Sequence, residues 1–278
     1  MIKRCWGLTR GSSRVPPVAR KGRTGFMAVF ETTEDTLLNG RIRIRQPARG
    51  YRVNVDTLLL AATFAPDMAW GGCSFVELGC GVGAALLGIG KQHQEKSPPV
   101  RLVGIERDPN MAALAKANAL ANGLNAEIVE GDALNPPVSI GSFDRVLFNP
   151  PYDYPGEGRS PAPERQQAYI AERPVEDWIK VWCNRMSKDS HLTLIHRTRR
   201  LREILDAMEG RLGGVEVFPV RPSSAAPARR VIVRARKGSK APLKLLRGLD
   251  LHPANDAKDK YTPEAEAILR GDAFIDMC

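Results

Sequence analysis

The chain has 278 residues, of which 41 are Lys or Arg and 31 Asp or Glu, a formal net charge of +10, and 43% are hydrophobic. That length and apolar content admit one large domain or two small ones and exclude a globally disordered chain. No apolar run approaches the ~20 residues of a membrane helix. Cys5, Cys73, Cys80, Cys183 and Cys278 form no C-x-x-C pair, which excludes a disulfide framework or a zinc knuckle, offers no metal-ligand spacing, and suits the reducing cytoplasm.

The charge is uneven. Residues 1–26 carry +7 and residues 221–247 carry +9, both without an acid, so the remainder is mildly acidic. The first segment mixes arginines with Gly, Ser and Pro, shows no apolar periodicity, and reads as a disordered leader ahead of a natural start at Met27. The second is a candidate surface for nucleic-acid phosphates, or else solvated edge-strand charge.

In chain order, a strand–turn–strand begins near Thr36. Its second strand is the alternating Arg41-Ile42-Arg43-Ile44-Arg45, and a helix follows over Val55–Ala65, closed by Pro66. These elements form an extension (27–70) to a single domain running to residue 278. Ser74–Leu78 reads as a short apolar strand entering a glycine loop, and Ala84–Ile89 as a buried helix. Val100–Glu106 is a second strand, after which Asp108-Pro109 supplies an N-cap and a first-turn proline for a helix ending at Asn122-Gly123. Ala126–Glu130 and Phe143–Phe148 are the third and fourth strands.

Downstream, the loop 153–174 has the length of a binding loop or lid. Val175–Met186 reads as a helix whose Trp178, Val181 and Trp182 form a core stripe, and His191–His196 as a fifth strand bracketed by structural histidines. Leu201–Met208 lies in a helix, and Val215–Val220 with Arg230–Arg234 make an antiparallel closing pair. Such alternation predicts an α/β fold: a mostly parallel, doubly wound seven-stranded sheet with helices on both faces and an antiparallel C-terminal strand. Ligands in such sheets lie beyond the carboxyl ends of the strands. Glu77, Glu106, Asp132 and Asn149 fall at or just after four successive ends and define one site.

Gly79-Cys80-Gly81-Val82-Gly83-Ala84 satisfies G-x-G-x-x-[GA], so a nicotinamide-dependent oxidoreductase is the alternative from another class. The acids point elsewhere. Glu77, two residues before Gly79, suits the cationic methionyl amine of S-adenosylmethionine. Glu106 suits the ribose hydroxyls and Asp132 the adenine amino group. At the fourth strand's end, Asn149-Pro150-Pro151-Tyr152 supplies a turn whose prolines remove two donors. A planar amine can then donate to the Asn149 side-chain oxygen and the Pro150 carbonyl while its ring stacks on Tyr152. Positioning, not a strong base, carries such chemistry.

These residues resemble the class I methyltransferases of the N-P-P-[YF] group. Gly50 to Leu60 and the ending Tyr261-Thr262-Pro263-Glu264, followed by Leu269 and Phe274, are similar to the bacterial adenine-N6 methyltransferases that act on a valine tRNA. The resemblance implies the Rossmann-like methyltransferase fold, S-adenosylmethionine as cofactor, and methylation of an adenine N6 near the anticodon. Within it, Asn149, Pro150, Pro151 and Tyr152 are catalytic, and Glu77, Gly79, Gly81, Gly83, Glu106 and Asp132 bind the cofactor. It departs from the group at Val53-Asn54-Val55-Asp56, where Gly-Thr-Asp is usual and only Asp56 carries over, and at Glu77, where Asp is usual. A release-factor glutamine N5-methyltransferase and a ribosomal RNA base methyltransferase are the alternatives within the class.

Overall fold

The computed structural model describes residues 9–10, 31–50, 52–65, 72–152, 173–254 and 259–277. The expected leader, residues 1–26, lies outside them except for β1 (Thr9–Arg10), whose backbone pairs antiparallel with Asp35 and Thr36. The binding loop expected over 153–174 lies outside them too, apart from its last two residues.

An antiparallel hairpin of β2 (Thr32–Leu37) and β3 (Ile42–Pro47) opens the described body and leads into α1 (Val55–Ala61). The main sheet then alternates with helices: β4 (Ser74–Leu78), α2 (Ala84–Gln92), β5 (Arg101–Glu106), α3 (Pro109–Ala121), β6 (Ala126–Glu130) and β7 (Phe143–Phe148). After residue 172 come α4 (Val175–Cys183), β8 (Met186–Arg197), α5 (Leu201–Met208), β9 (Leu212–Arg221) and β10 (Arg230–Lys237). The strand order is β9-β10-β8-β7-β4-β5-β6, parallel except for β10, which runs antiparallel to both neighbours. This is the Rossmann-like sheet expected. Two short strands, β11 (Lys244–Leu245) and β12 (Leu249–Asp250), add parallel pairing along the outer edge of β9 before α6 (Pro263–Arg270).

The central strands are near-continuous apolar runs because both faces are covered. Side chains alternate between two cores, as a period of two demands. Phe75 and Leu147 join the core under α1, α2, α3 and α6, while Val76, Leu78, Val146 and Phe148 join the core under α4 and α5. Asp108 caps α3 as its sequence predicts, its carboxylate accepting the Asn110 and Met111 N–H groups, with Pro109 in the first turn and Gly123 beyond the end at φ +65°.

Several boundaries differ from the sequence expectation: β8, β9, β10 and α2 run longer, and two helices stop early. α1 stops at Ala61 because the next turn tightens: the Thr63 and Phe64 N–H groups reach back three residues, to Leu60 and Ala61, and the Thr63 hydroxyl also takes the Leu60 carbonyl. α4 stops at Cys183 because the chain turns at Asn184 and Arg185 into β8, which begins at Met186.

The outer edge of β3 pairs with asparagines of α3, four residues apart. Asn118 accepts the Arg45 N–H and donates to the Arg45 carbonyl, and Asn122 does the same for Arg43. Asn118 also donates to the carbonyl of Val82 in the glycine loop. The hairpin edge is thereby satisfied without a further strand, and it is tied to the loop that bears the site.

Candidate functional site

The sheet order reverses between β4 and β7, the switch point where open α/β sheets hold ligands. Leu78 pairs with Phe148 there, so Gly79 and Asn149 leave the sheet side by side. Gly79, Gly81 and Gly83 all have positive φ (64°, 55° and 84°), a conformation open to glycine and strained for other residues. A Cβ at Gly79 would stand 3.6 Å from the Trp178 ring, which itself stacks on Phe148 at 5.9 Å.

Two acids sit beneath this loop. Glu106 Oε2 accepts the Gly81 N–H and Oε1 the Asp108 N–H, both at 2.8 Å. Burial raises its pKa, while those backbone donors and the charge of Arg107 oppose the rise. Glu77, 3% exposed, accepts the Leu86 N–H at 2.9 Å, and burial pushes its carboxyl up to about 8. Each carboxylate oxygen retains a second lone pair for a ligand donor. Glycine φ values, close backbone approach and two acids under one loop fit a cofactor bearing hydroxyls and an ammonium group. Asp132 stands one strand further out, exposed, its Oδ1 accepting the Leu134 N–H. Its neighbour Gly131 is bonded through its N–H to the Glu106 carbonyl.

Asn149 and Tyr152 form a second cluster with residues of α1. The Tyr152 hydroxyl lies 2.5 Å from Asn149 Oδ1 and 3.0 Å from Asp56 Oδ2. Asn149 Nδ2 donates to the Thr57 hydroxyl at 3.4 Å. Asp56, itself buried, is held by Arg230 Nε at 2.6 Å. The Tyr152 ring is 8% exposed, tilted against His196 with centroids 5.0 Å apart, and the Arg197 guanidinium stands 5.7 Å from its centroid. A planar ring can stack on Tyr152 only after local opening. Burial first, then the Arg200, Arg197 and Arg199 charges, push His196 down to about 4; its Nδ1 accepts the Arg197 N–H.

Asp56, Thr57, His196 and Trp178 had no site role in the sequence, and Arg230 figured there only as one cation of the basic segment. Only Asp56 carried a signal, as the surviving acid of Gly-Thr-Asp. The ending Tyr261-Thr262-Pro263-Glu264 now has a structural meaning. Thr262 caps α6, its hydroxyl accepting the Ala265 N–H and donating to the Asp250 carbonyl, and the Ile275 N–H bonds to Ala62 just after α1. The C-terminal segment thus braces the helix that presents Asp56 and Thr57.

The basic segment 221–247 is more engaged by the fold than its composition suggests. β10 is an interior strand, and seven of the nine cations are engaged by the fold. Arg221 pairs with Asp250, Arg230 with Asp56, Arg236 with Asp189, Lys244 with Glu216 and Arg247 with Glu264. Arg234 is buried and donates to the Thr63 carbonyl, and Lys237 donates to the Cys183 and Met186 carbonyls. Arg230, Arg234 and Lys237 are taken up by the packing around β10, while Arg236, Lys244 and Arg247 make solvent-exposed pairs. No helix among the described residues is long and apolar enough to cross a membrane.

Residues 75–157 match the family described as Methyltransferase domain. The chain is 30% identical over 240 residues to the tRNA1(Val) (adenine(37)-N6)-methyltransferase of Porphyromonas gingivalis, covering 81% of this chain and 89% of that protein. The release factor glutamine methyltransferase of Geobacter sulfurreducens is 34% identical, over 77 residues that cover 28% of this chain and 25% of that one. Among solved structures, one described as a predicted O-methyltransferase from Agrobacterium tumefaciens superposes with a TM-score of 0.63 at 27% identity, covering 79% of this chain and 98% of that one. A Thermus thermophilus 16S rRNA methyltransferase in complex with AdoMet and guanosine shares the fold, with a TM-score of 0.52 at 17% identity over 78% and 53%.

Proposed function

This chain belongs to the tRNA1(Val) adenine-N6 methyltransferase family of S-adenosylmethionine-dependent N-methyltransferases, and from that premise we propose that it methylates the exocyclic N6 of an adenine beside the anticodon of a tRNA, by its relatives a valine tRNA, in the cytoplasm. The observation that carries this reading is the Asn149–Tyr152 turn, set beside the glycine loop at the switch point and fastened to Asp56 and Thr57 of α1.

S-adenosylmethionine supplies an electrophilic methyl group on a sulfonium. Gly79, Gly81 and Gly83 would let the backbone approach it, Glu77 would hold the methionyl ammonium, Glu106 the ribose hydroxyls and Asp132 the adenine amino group. Asn149 Oδ1 and the Pro150 carbonyl would accept the two N–H groups of the target amine and orient its lone pair. Tyr152, once opened locally, would pack against the base. The Asp56–Arg230 pair holds the Tyr152 hydroxyl, so the turn is positioned from α1 and β10 together. His196 backs the Tyr152 ring as a neutral group and is too weak a base to matter near pH 7. Such catalysis is orientation and hydrogen bonding.

The test is nucleoside mass spectrometry. Purified protein is incubated with isotopically labelled methyl donor and with tRNA, ribosomal RNA and release factors from cells lacking this chain. Labelled N6-methyladenosine in one tRNA is the expected result. Label confined to a release-factor glutamine or to ribosomal RNA would overturn the substrate.

A further inference from the structure

We propose that Cys80 and Gly104 position the cofactor loop as a peg and a socket: the absent side chain of Gly104 on β5 leaves a notch that receives the Cys80 side chain, and this seating sets the loop backbone that meets S-adenosylmethionine. The proposal rests on the glycine loop being the cofactor's cradle and names the pair that holds that loop in place. Both are positioning residues, acting through the loop backbone.

Gly104 interrupts an apolar run, Leu102-Val103-Gly104-Ile105, in the middle of β5. A glycine inside a strand weakens it and commonly marks the close approach of another segment. β5 is paired on both sides, with Glu77 and Ile128 opposite Gly104. Sheet alternation puts Leu102, Gly104 and Glu106 on one face. Leu102 packs there into the core under α1, α2, α3 and α6, which also holds Cys80 and Ile128. An ideal Cβ at Gly104 would stand 2.7 Å from Cys80 Sγ, 3.2 Å from Cys80 Cβ and 3.0 Å from Ile128 Cδ1. The first of these is too short for any real contact, so no side chain fits at 104 while Cys80 is seated.

The seated thiol lies where the loop is tied down. The Cys80 N–H bonds to the Ile105 carbonyl at 3.0 Å, and the Cys80 carbonyl accepts the Gly83 N–H at 2.8 Å. One residue on, the Gly81 N–H reaches Glu106 at 2.8 Å. Successive loop residues are thus laid on successive same-face positions of β5: Cys80 on Gly104, and Gly81 on Glu106. Burial first, then the Glu77 and Glu106 charges, keep the Cys80 pKa well above the ordinary thiol range, so the side chain packs as a neutral group. A side chain at 104 must lift Cys80 off β5. That lift strains the bond to Ile105 and draws the Gly81 N–H away from Glu106, the acid assigned to the ribose hydroxyls. A close-packed interior has little room to absorb such a shift.

The test moves one heavy atom across the contact. Gly104→Ala adds a methyl to the socket, and Cys80→Ala/Gly104→Ala also removes the sulfur. In the double variant the two Cβ atoms, 3.2 Å apart, need only a small shift, and the Ile128 tip can turn away. Gly90→Ala is the control, because its Cβ would meet the Leu102 and Leu124 methyls of the same core, away from the glycine loop. S-adenosylmethionine affinity is measured by calorimetry on the full-length proteins, well below their melting temperatures. Alkylation of Cys80 by iodoacetamide is followed by peptide mass spectrometry, with the buried Cys183 as reference.

Overpacking of this kind should weaken S-adenosylmethionine binding by at least about 10-fold in Gly104→Ala and speed the alkylation of Cys80. The double variant should bind within about 3-fold of wild type, a non-additive rescue that general destabilisation does not give. Gly90→Ala should bind as wild type whatever its melting temperature. Wild-type affinity or an unaltered Cys80 rate in folded Gly104→Ala would overturn the socket. So would a double variant no better than Gly104→Ala, or an equal loss in Gly90→Ala. If Gly104→Ala does not fold, the double variant decides: recovered folding and binding support the pair, and failure of both overturns it. Wild-type protein that binds no S-adenosylmethionine overturns the cradle itself, an outcome distinct from failure of the pair.

Discussion

The Tyr152 hydroxyl lies 2.5 Å from Asn149 Oδ1, the oxygen assigned to the target amine, and also within 3.0 Å of Asp56. One phenolic proton faces two acceptors. Donated to Asn149, it occupies the substrate's acceptor; donated to Asp56, it leaves that acceptor available. The ring and the hydroxyl therefore make separable predictions. Tyr152→Phe keeps the ring and clears Asn149, and should lower kcat by less than about 10-fold. Tyr152→Ala removes a base–aromatic stack of about 1–3 kcal/mol and should reduce turnover by up to about 100-fold. Steady-state rates with saturating tRNA distinguish the two, and equal damage in both variants would make the hydroxyl, not the ring, the working part.

Asn149→Ala should retain S-adenosylmethionine binding and lose about 100- to 1000-fold in turnover, the scale for removing one preorganised hydrogen-bonding group from a reacting centre. Calorimetry and single-turnover kinetics on the same preparation check both halves. Undiminished methylation would refute the amine-holding role.

The cofactor side of this site was legible in the sequence because it is local: strand, glycines and acids recur at fixed short spacings, and Asp108-Pro109 announces α3 by its own capping chemistry. What sequence could not show is set by long-range register. Arg230 lies 174 residues from Asp56, and only the antiparallel seating of β10 against β8 brings them together. The partners of the basic segment 221–247 were hidden for the same reason. Charge counted along a chain does not reveal that Arg234 is buried or that Lys237 is spent on two carbonyls. The hairpin's reliance on Asn118 and Asn122 was equally hidden, since asparagines inside a helix carry no pairing signal of their own.

The Asp56–Arg230 pair has a stability signature. Asp56 is 3% exposed, so Arg230→Leu leaves a buried carboxylate with, among the described residues, Tyr152 as its side-chain donor. Loss of one partner from a buried pair costs about 3–5 kcal/mol; the Arg230 side chain is 36% exposed, and solvent screening reduces that to about 2 kcal/mol. The double variant Asp56→Asn/Arg230→Leu removes the stranded charge and should recover much of the loss. Urea denaturation of the four proteins in this cycle tests it, and a double variant less stable than Arg230→Leu would contradict the assignment.

Asn118 joins three backbone groups: the N–H and carbonyl of Arg45, and the carbonyl of Val82 in the glycine loop. Asn118→Ala leaves these groups without their partner in a buried site. It should cost about 2–3 kcal/mol, within the range for unsatisfied buried polar groups. Because Val82 belongs to the cofactor loop, S-adenosylmethionine affinity should fall as well, while Asn122→Ala, on the outer and more exposed rung, should cost less and spare the cofactor. Thermal melts with and without S-adenosylmethionine separate the effects.

Glu77 links pH to both stability and binding. Its carboxyl has a folded pKa of about 8 against an ordinary 4.5, with burial the main cause. The raised value means that the fold favours the protonated acid. Stability from this group is intact below about pH 4.5 and is lost progressively as pH rises through about 8. Glu77→Gln keeps the shape and the acceptor for the Leu86 N–H but cannot ionise. Without cofactor, it should melt above wild type at pH 8 and match it near pH 4.5. Under the proposed role of Glu77, cofactor binding would reverse the preference, because the methionyl ammonium would pair with the ionised carboxylate. At pH 7, binding should therefore release close to one proton, seen as a calorimetric heat that changes with the buffer's ionisation enthalpy. That dependence should vanish in Glu77→Gln, along with most of the affinity. A buffer-independent heat for wild-type protein at pH 7 would show that Glu77 does not meet the ammonium.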